Sequence, residues 1–306
     1  MHPPAACNAQ RAAAPVRAVI IGVNMRGVIL AAGKGSRLNG TAGESPKCLV
    51  KVGTRSLIER QIDALRGAGI DEIVVVAGCQ AERVRRACGH DITYVENHEY
   101  ARTNSLYSLW LARPLLFEGF VVLNCDVLFH SALLGDLLTA RHEDALLLAY
   151  RGAHEAPYGD EEMKVTVRCG RVTGISKTMD PADADGENLG IVKFGAEGAA
   201  ALVGIMDRLI GAGDVRAWAP RAFHEFAQTR PLHAIGTRGL PWIEIDFPED
   251  YERAVSTVLP EIEEEDAALN RMARAVARHE PVDLPVLRDF APAADAARAI
   301  AAGDLR

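Results

Sequence analysis

Short, unbroken apolar runs alternate with amphipathic segments along the first half of the chain, and this alternation constrains the fold most. GVILAAG (27–33) is typical of a buried strand, and SLIERQIDALRGAG (56–69) repeats apolar residues at helical spacing and then ends at glycine. Further strands are predicted at 72–78, 92–97, 120–126 and 145–151, and further helices at 81–89, 104–111 and 131–142. Because such strands are apolar on both faces, we predict βαβ units that build a mainly parallel sheet covered by helices.

The pattern changes after residue 151. The segment 163–177 is predicted to be a hairpin that turns at Cys169-Gly170. The remaining predictions are strands at 188–194, 231–237 and 242–246, and helices at 197–211, 217–228 and 248–259. Residues 260–306 are rich in Ala, Glu and Arg and are expected to be mostly helical, whereas residues 1–24 are expected to be a disordered leader.

Composition narrows the class of protein. The 306 residues are 49% hydrophobic and carry a net charge of −7, which fits a globular domain and argues against a general nucleic-acid binder. No apolar run approaches the roughly 18 residues of a membrane span. The six cysteines are scattered without a CxxC pair, so we predict reduced thiols in a cytoplasmic protein.

The sharpest motif is a glycine loop, LAAGKGSRL (30–38), followed by Pro46-Lys47. A strand that leads into glycines can point its backbone N–H groups at an anion, and Lys34 and Arg37 add positive charge. The loop matches neither GxGxxG, since Leu38 stands at the last glycine position, nor the Walker pattern. An ordinary βα turn is the alternative, but the added basic residues favour a phosphate-binding loop.

LAAGKGSRL with the downstream Pro-Lys resembles the nucleotidyltransferases that activate sugar phosphates, choline phosphate and related compounds, over roughly residues 25–258. The resemblance implies a Rossmann-like, three-layer α/β nucleotidyltransferase fold with a mainly parallel sheet. Its nucleotide-binding half would be 25–151, its acceptor-binding half 152–258, and 259–306 would be a helical C-terminal extension.

The same resemblance implies roles for the loop. Lys34 and Arg37 would hold the β- and γ-phosphates, and Lys47 would lie at the α-phosphate or between it and the acceptor; Arg37 and Lys47 would be catalytic. The loop residues implied to bind the nucleotide are Leu30, Ala31, Ala32, Gly33, Lys34, Gly35, Ser36 and Arg37.

Two aspartates, Asp126 and Asp246, end predicted strands, where ligands bind in open α/β sheets. Two such carboxylates could share one Mg²⁺, and the family uses a pair of this kind. The alternative for each is a helix N-cap. Glu244, two residues before Asp246, is a weaker third candidate.

The segment TNSLYSL (103–109) resembles the choline-phosphate and aminoethylphosphonate cytidylyltransferase branch. Asn104 and Ser105 could hydrogen-bond a pyrimidine edge, or cap and start the following helix. Gln80 is placed in the nucleotide site by resemblance alone, although the local sequence departs from the family there.

Three further segments, 159–165, 175–177 and 186–191, resemble the acceptor side of the same branch. A zwitterionic acceptor needs donors at one end and carboxylates or aromatic faces at the other. The implied acceptor residues are Tyr107, Asp160, Glu161, Lys164, Lys177 and Glu187. Lys164 and Lys177 could equally be solvated strand residues.

The function that the resemblance implies is Mg²⁺-dependent transfer of CMP from CTP to a small phosphate or phosphonate acceptor, with release of pyrophosphate. The acceptor would be of the phosphocholine, phosphoethanolamine or 2-aminoethylphosphonate type, and a homodimer is left open. The alternatives are a UTP- or dTTP-dependent sugar-1-phosphate enzyme and a regulatory protein that binds a nucleotide without turnover.

Overall fold

A computed structural model describes residues 25–35, 38, 45–151 and 158–277. The strands are β1 Arg26–Ala31, β2 Lys51–Val52, β3 Arg55–Ser56, β4 Ile73–Ala77, β5 Thr93–Glu96, β6 Phe120–Asn124, β7 Val127–Phe129, β8 Ala145–Tyr150, β9 Lys164–Arg168, β10 Arg171–Ser176, β11 Gly186–Phe194, β12 His233–Gly236 and β13 Trp242–Glu244. The α-helices are α1 Leu57–Gly67, α2 Ala81–Cys88, α3 Ser105–Leu111, α4 Ser131–Thr139, α5 Ala196–Gly211, α6 Pro220–Thr229, α7 Pro248–Arg253 and α8 Leu259–Ala277.

Nine strands form one mixed sheet in the order β5-β4-β1-β6-β11-β8-β12-β10-β9. The first four strands in this order are parallel, which confirms the βαβ prediction for the first half. The second half differs, because β11 lies antiparallel between β6 and β8. The hairpin of β9 and β10 is also antiparallel. Cys169 and Gly170 both have a positive φ, which is the backbone conformation of a tight two-residue hairpin turn.

Helices cover both faces of this sheet and bury two apolar clusters. On one face, α1, α2 and α4 contribute Ile62, Val84 and Leu134 to the first cluster. On the other face, α3, α5 and α6 contribute side chains such as Leu109 and Phe223 to the second cluster. The three-layer Rossmann-like arrangement is therefore confirmed.

A small second sheet positions the two predicted metal-binding aspartates. The predicted strand 120–126 in fact ends at Asn124, and the chain leaves the large sheet to pair β7 antiparallel with β13. The Ile245 backbone N–H donates to the Asp126 carbonyl at 3.0 Å, so the segments that carry Asp126 and Asp246 lie side by side. A third apolar cluster, which includes Leu38, Val52 and Ile243, packs beside this pair.

The predicted helix 248–259 leads directly into the part of the chain that was also predicted to be helical. A π-helical turn, Ala254–Val258, joins α7 to α8, and α8 reaches Ala277. The compact unit that holds the sheets ends at Ile262, which is buried, and a second unit begins at Glu263. Its described part, 263–277, is helical, and the predicted leader and the last part of the tail lie outside the described residues.

Two further observations concern apolar helices and cysteines. Among the helices that the structure describes, none combines the length and apolar character that crossing a membrane requires. The described cysteines, Cys48, Cys79, Cys88, Cys125 and Cys169, are free thiols.

Candidate active site

A cavity of about 350 Å³ opens at the carboxyl ends of β1 and β6. Its position follows from topology, because the parallel strands all end at this edge and their connecting segments meet above it. The lining residues are Leu30, Ala32, Gly33, Gly35, Leu38, Lys47, Asn97, Tyr100, Thr103, Asn104, Ser105, Ser108, Asn124, Cys125, Asp126, Glu161, Met163, Lys177, Asn188, Trp218, Pro220, Glu244 and Asp246.

The described part of the glycine loop forms one rim of the cavity. Gly35 has a φ of +64°, and a Cβ there would come within 2.9 Å of the Lys47 Cβ and 3.0 Å of its backbone nitrogen. Only glycine tolerates both the backbone conformation and this approach. Lys34 is exposed, with its Nζ 5.9 Å from the Tyr100 ring centre. Ser36 and Arg37 lie outside the described residues.

Lys47 reaches across the cavity to both predicted metal-binding residues. Its Nζ donates to Asp126 Oδ2 at 2.8 Å and also to Asp246 Oδ1. Burial lowers the pKa of Lys47, but the two carboxylates more than offset this and raise the pKa above its ordinary value. Lys47 is therefore a fixed positive charge at the point where β6 and β13 deliver their carboxylates.

Glu244 completes a group of three carboxylates with Asp126 and Asp246, whose oxygens lie within 4.8 Å of one another. Burial, followed by the charges of the two aspartates, raises the pKa of Glu244 well above its usual range. Asp126 Oδ1 is buried and has no hydrogen-bond partner among the described residues. Hard divalent cations take such carboxylate oxygens, so these three residues could hold one. We call Lys47, Asp126, Glu244 and Asp246 the charged cluster.

The alternative interpretation of the aspartates as helix caps does not fit the structure. Asp126 is followed by strand β7, and the N-cap of α7 is Phe247. Asp250 makes the capping contacts instead, because its Oδ2 accepts from the Asp246 and Phe247 backbone nitrogens at 3.0 and 2.9 Å.

A polar wall between β5 and α3 faces the glycine loop. The buried Asn97 donates from Nδ2 to Thr103 Oγ1 at 3.0 Å and to Ser108 Oγ at 3.1 Å. Asn104 caps α3 by accepting from the Ser105 backbone nitrogen, and Ser105 Oγ accepts from the Ala219 nitrogen at 2.9 Å. Both predicted residues thus have the local roles of the alternative interpretation while they also line the cavity.

The opposite side of the cavity is more open. Lys177 Nζ lies 3.2 Å from Glu161 Oε2 and 5.1 Å from the ring centre of Trp218, whose side chain is 49% exposed. This arrangement places a cation, an anion and an aromatic face side by side. We call Glu161, Lys177 and Trp218 the outer wall.

Seven of the described predicted residues do not line the cavity: Ala31, Lys34, Gln80, Tyr107, Asp160, Lys164 and Glu187. Lys164 is only 1% exposed and donates from Nζ to the Gly159 carbonyl at 2.5 Å. Gln80 precedes α2 with a positive φ, and Tyr107 packs against Trp110. Burial and the neighbouring Glu162 raise the pKa of Glu187 to about 7.

Sequence reasoning missed several lining residues, notably Asn97, Thr103, Ser108 and Asn188. Asn97 and Thr103 have a signal in the sequence, because they belong to a mostly polar segment between a strand and a helix, whereas Ser108 lies within the helix. Asn188 has none, because its exposure to the cavity depends on where β11 enters the sheet.

A Rossmann-like sheet with a glycine loop, a lysine and carboxylates at one cavity belongs to the nucleotidyltransferase class of proteins. Residues 27–299 match the MobA-like NTP transferase domain, and the chain belongs to that family.

The relatives of this chain include proteins whose names refer to cytidylyl transfer or to a CMP-linked product, and also bifunctional GlmU proteins. The chain is 37% identical over 129 residues to a CMP-5'-(3-aminopropyl)phosphonate synthase from Streptomyces rubellomurinus, a match that covers 40% of this chain and 20% of that protein. It is 31% identical over 160 residues to a choline-phosphate cytidylyltransferase from Streptococcus pneumoniae, covering 50% of this chain and 69% of the relative. The chain thus spans one fifth of the first relative and about two thirds of the second.

A solved structure supports the fold independently. The inositol-1-phosphate CTP transferase from T. maritima superposes with a TM-score of 0.64 at 21% identity, covering 79% of this chain and 98% of that chain. At this level of identity the likeness establishes the shared fold.

Proposed function

We propose that the protein transfers CMP from CTP to a small acceptor that carries a phosphate or phosphonate and an amine, and that it releases pyrophosphate. The observation that carries the proposal is Lys47, held between Asp126 and Asp246 directly beside the glycine loop. The names of the two relatives support this substrate class, because one contains an aminopropylphosphonate and the other contains choline phosphate, whose nitrogen is a quaternary ammonium.

The chemistry is an in-line displacement at phosphorus. An acceptor oxygen bonds to the α-phosphorus of CTP, the bond from that phosphorus to its bridging oxygen breaks, and pyrophosphate leaves with the electron pair. Because the acceptor oxygen is already anionic, the protein's main task is to align two anions and to stabilise the developing charge. Lys47, which lines the cavity beside the glycine loop, would serve that task.

Asp126 and Asp246, with Glu244 beside them, would hold Mg²⁺. The unpartnered Asp126 Oδ1 and the short separation of the three carboxylates support this assignment. When bound, the ion would neutralise phosphate oxygens.

The outer wall suits the acceptor. In this proposal Lys177 attracts the phosphate or phosphonate, while Glu161 and the exposed face of Trp218 meet the amine. Lys164 and Glu187, which lie outside the cavity lining, would support this wall rather than touch the acceptor.

The test is pyrophosphate release with Mg²⁺ and CTP against phosphocholine, phosphoethanolamine, 2-aminoethylphosphonate and several sugar 1-phosphates, repeated with UTP and dTTP. We expect release with CTP and an acceptor that carries an amine or a quaternary ammonium, and release at least about 100-fold slower with the Lys47→Met variant. Release only with UTP or dTTP and a sugar 1-phosphate would overturn the substrate assignment. Nucleotide binding without turnover on any acceptor would favour a regulatory protein.

A further inference from the structure

Gln61 is a polar side chain on the apolar face of α1. It is only 1% exposed, and its helix neighbours Ile58, Ile62 and Leu65 are buried core residues. Burying an amide costs free energy unless its donors and acceptors find partners, so the partners of Gln61 indicate what it does.

Both contacts of the Gln61 amide nitrogen are to the segment that carries Asp126. Nε2 donates to the Asn124 carbonyl at 2.8 Å and to the Val127 carbonyl at 2.9 Å. Asn124 ends β6 and Val127 begins β7, so these carbonyls bracket the two residues where the chain changes sheets. One side chain therefore ties together both ends of the Cys125-Asp126 connection.

The orientation of the amide supports a dedicated role. Gln61 Oε1 is buried without a hydrogen-bond partner among the described residues. Rotating the amide would turn this oxygen toward two carbonyl oxygens and lose both donated bonds. A side chain that only filled the core would be apolar, whereas this one leaves an acceptor unpaired and keeps two donors on the Asp126 segment.

That segment is linked in turn to the rest of the charged cluster. Asp126 accepts from Lys47 through its side chain at 2.8 Å and from the Ile245 nitrogen through its backbone carbonyl at 3.0 Å. A shift of the segment would change the position of Asp126 relative to Lys47 and to Asp246, the residue after Ile245.

We propose that Gln61 is a positioning residue that sets the Asp126 carboxylate within the charged cluster. It touches neither the cavity nor a reacting group and acts through the two carbonyls that it binds. The inference rests on the proposed function, because it assumes that Asp126 holds the metal ion.

The test compares Gln61→Met, which keeps the length and removes the donors, with Leu65→Ala. Leu65 lies one turn further along α1 and packs against Gly27 at the start of β1, away from Asp126. We expect Gln61→Met to lower kcat about tenfold or more and to raise the Mg²⁺ activation constant by a similar factor, as loss of an outer partner of a metal ligand does. The acceptor KM should stay within about twofold.

Gln61→Glu provides a second variant with a different readout. Its carboxylate has no donor for the two carbonyls, but the protonated acid regains one, and burial raises the pKa of such a group. The kcat of Gln61→Glu relative to Gln61→Met should therefore rise as pH falls from about 8 to about 6.

Two results would overturn the proposal. One is a folded Gln61→Met variant whose kcat and Mg²⁺ activation constant stay within twofold of wild type. The other is a Leu65→Ala variant that has the same Tm as Gln61→Met and loses as much kcat and Mg²⁺ activation. Wild-type protein without turnover would instead count against the proposed function. In that case, Mn²⁺ binding measured by electron paramagnetic resonance tests the role of Gln61 separately, since Gln61→Met should weaken Mn²⁺ binding and Leu65→Ala should not.

Discussion

In the charged cluster the ionised groups are mostly buried and paired with one another, whereas in the outer wall they are held by long side chains at the protein surface. The Lys47 side chain is 12% exposed, compared with 45% for Glu161. Backbone contacts fix the segments of the charged cluster, including the Asp126 carbonyl and the close approach of Gly35 to Lys47. Under the proposed function, we therefore expect the chemistry to depend on the charged cluster and the choice of acceptor to depend on the outer wall.

The strongest test of this division is Lys47→Met. We expect turnover to fall by about 100-fold or more, the usual scale for losing one electrostatic stabiliser of the transition state. The measurement is kcat from pyrophosphate release at saturating CTP and acceptor, with Lys177→Met as the matched control. Equal losses of kcat in the two lysine variants would remove the distinction between the cluster and the wall.

A smaller effect is expected from Gly35→Ala. The positive φ and the approach to Lys47 make an added Cβ unfavourable, at a cost of roughly 1–2 kcal/mol for the backbone conformation alone. We expect a loss of about tenfold in kcat/KM for the nucleotide, measured by initial rates. Gly89→Ala is the control, because Gly89 also has a positive φ, its Cβ would meet nothing within 4 Å, and it does not line the cavity. If Gly89→Ala lost as much, the contact with Lys47 would not be the cause.

Variants of the outer wall should separate binding from chemistry. Lys177→Met removes the cation that contacts Glu161 and Trp218. We expect the acceptor KM to rise several-fold, which is the effect of losing about one exposed charge-assisted contact, while kcat changes less than about threefold. Steady-state kinetics with varied acceptor at saturating CTP measure both constants. A selective fall in kcat would contradict the assignment.

The smallest predicted effect concerns Glu187 and stability. Because burial raises its folded-state pKa to about 7, the folded protein binds more protons here than the unfolded chain at intermediate pH. This group's contribution therefore makes stability fall as pH rises between its ordinary value of 4.5 and about 7. Glu187→Gln should flatten that part of the profile of Tm against pH and raise Tm near neutral pH, as measured by thermal unfolding; an unchanged profile would contradict the assignment.

Much of the fold could be predicted because its first half is locally encoded. The strands β1, β4 and β6 are continuous apolar runs, and the helices between them carry their own periodicity and end signals. The break after Asn124 escaped prediction, since the strands on either side of it, β6 and β7, are both largely apolar and the change of sheet depends on pairing with β13. The insertion of β11 between β6 and β8 could not be predicted either, because it depends on pairing with strands that lie far away in the sequence.

Lys164 and Lys177 show that distant contacts limit the prediction of the site as well. Lys164 and Lys177 follow similar sequence signals, yet Lys164 points inward to the Gly159 carbonyl and Lys177 lines the cavity. Period-two alternation tells which residues share a face of a strand, but it does not tell which face meets the cavity.

By itself, the sequence determined the alternating α/β framework and the glycine loop, because short-range periodicity and motif spacing encode both. The candidate roles of Lys47, Asp126 and Asp246 came from the family resemblance that this loop carries. Only the tertiary structure decided that Glu244 joins those aspartates, that Asn97 lines the facing wall, and that Gln61 binds both ends of the Asp126 segment. Those contacts join residues far apart in the chain, and their geometry exists only once the two sheets and α1 have packed together.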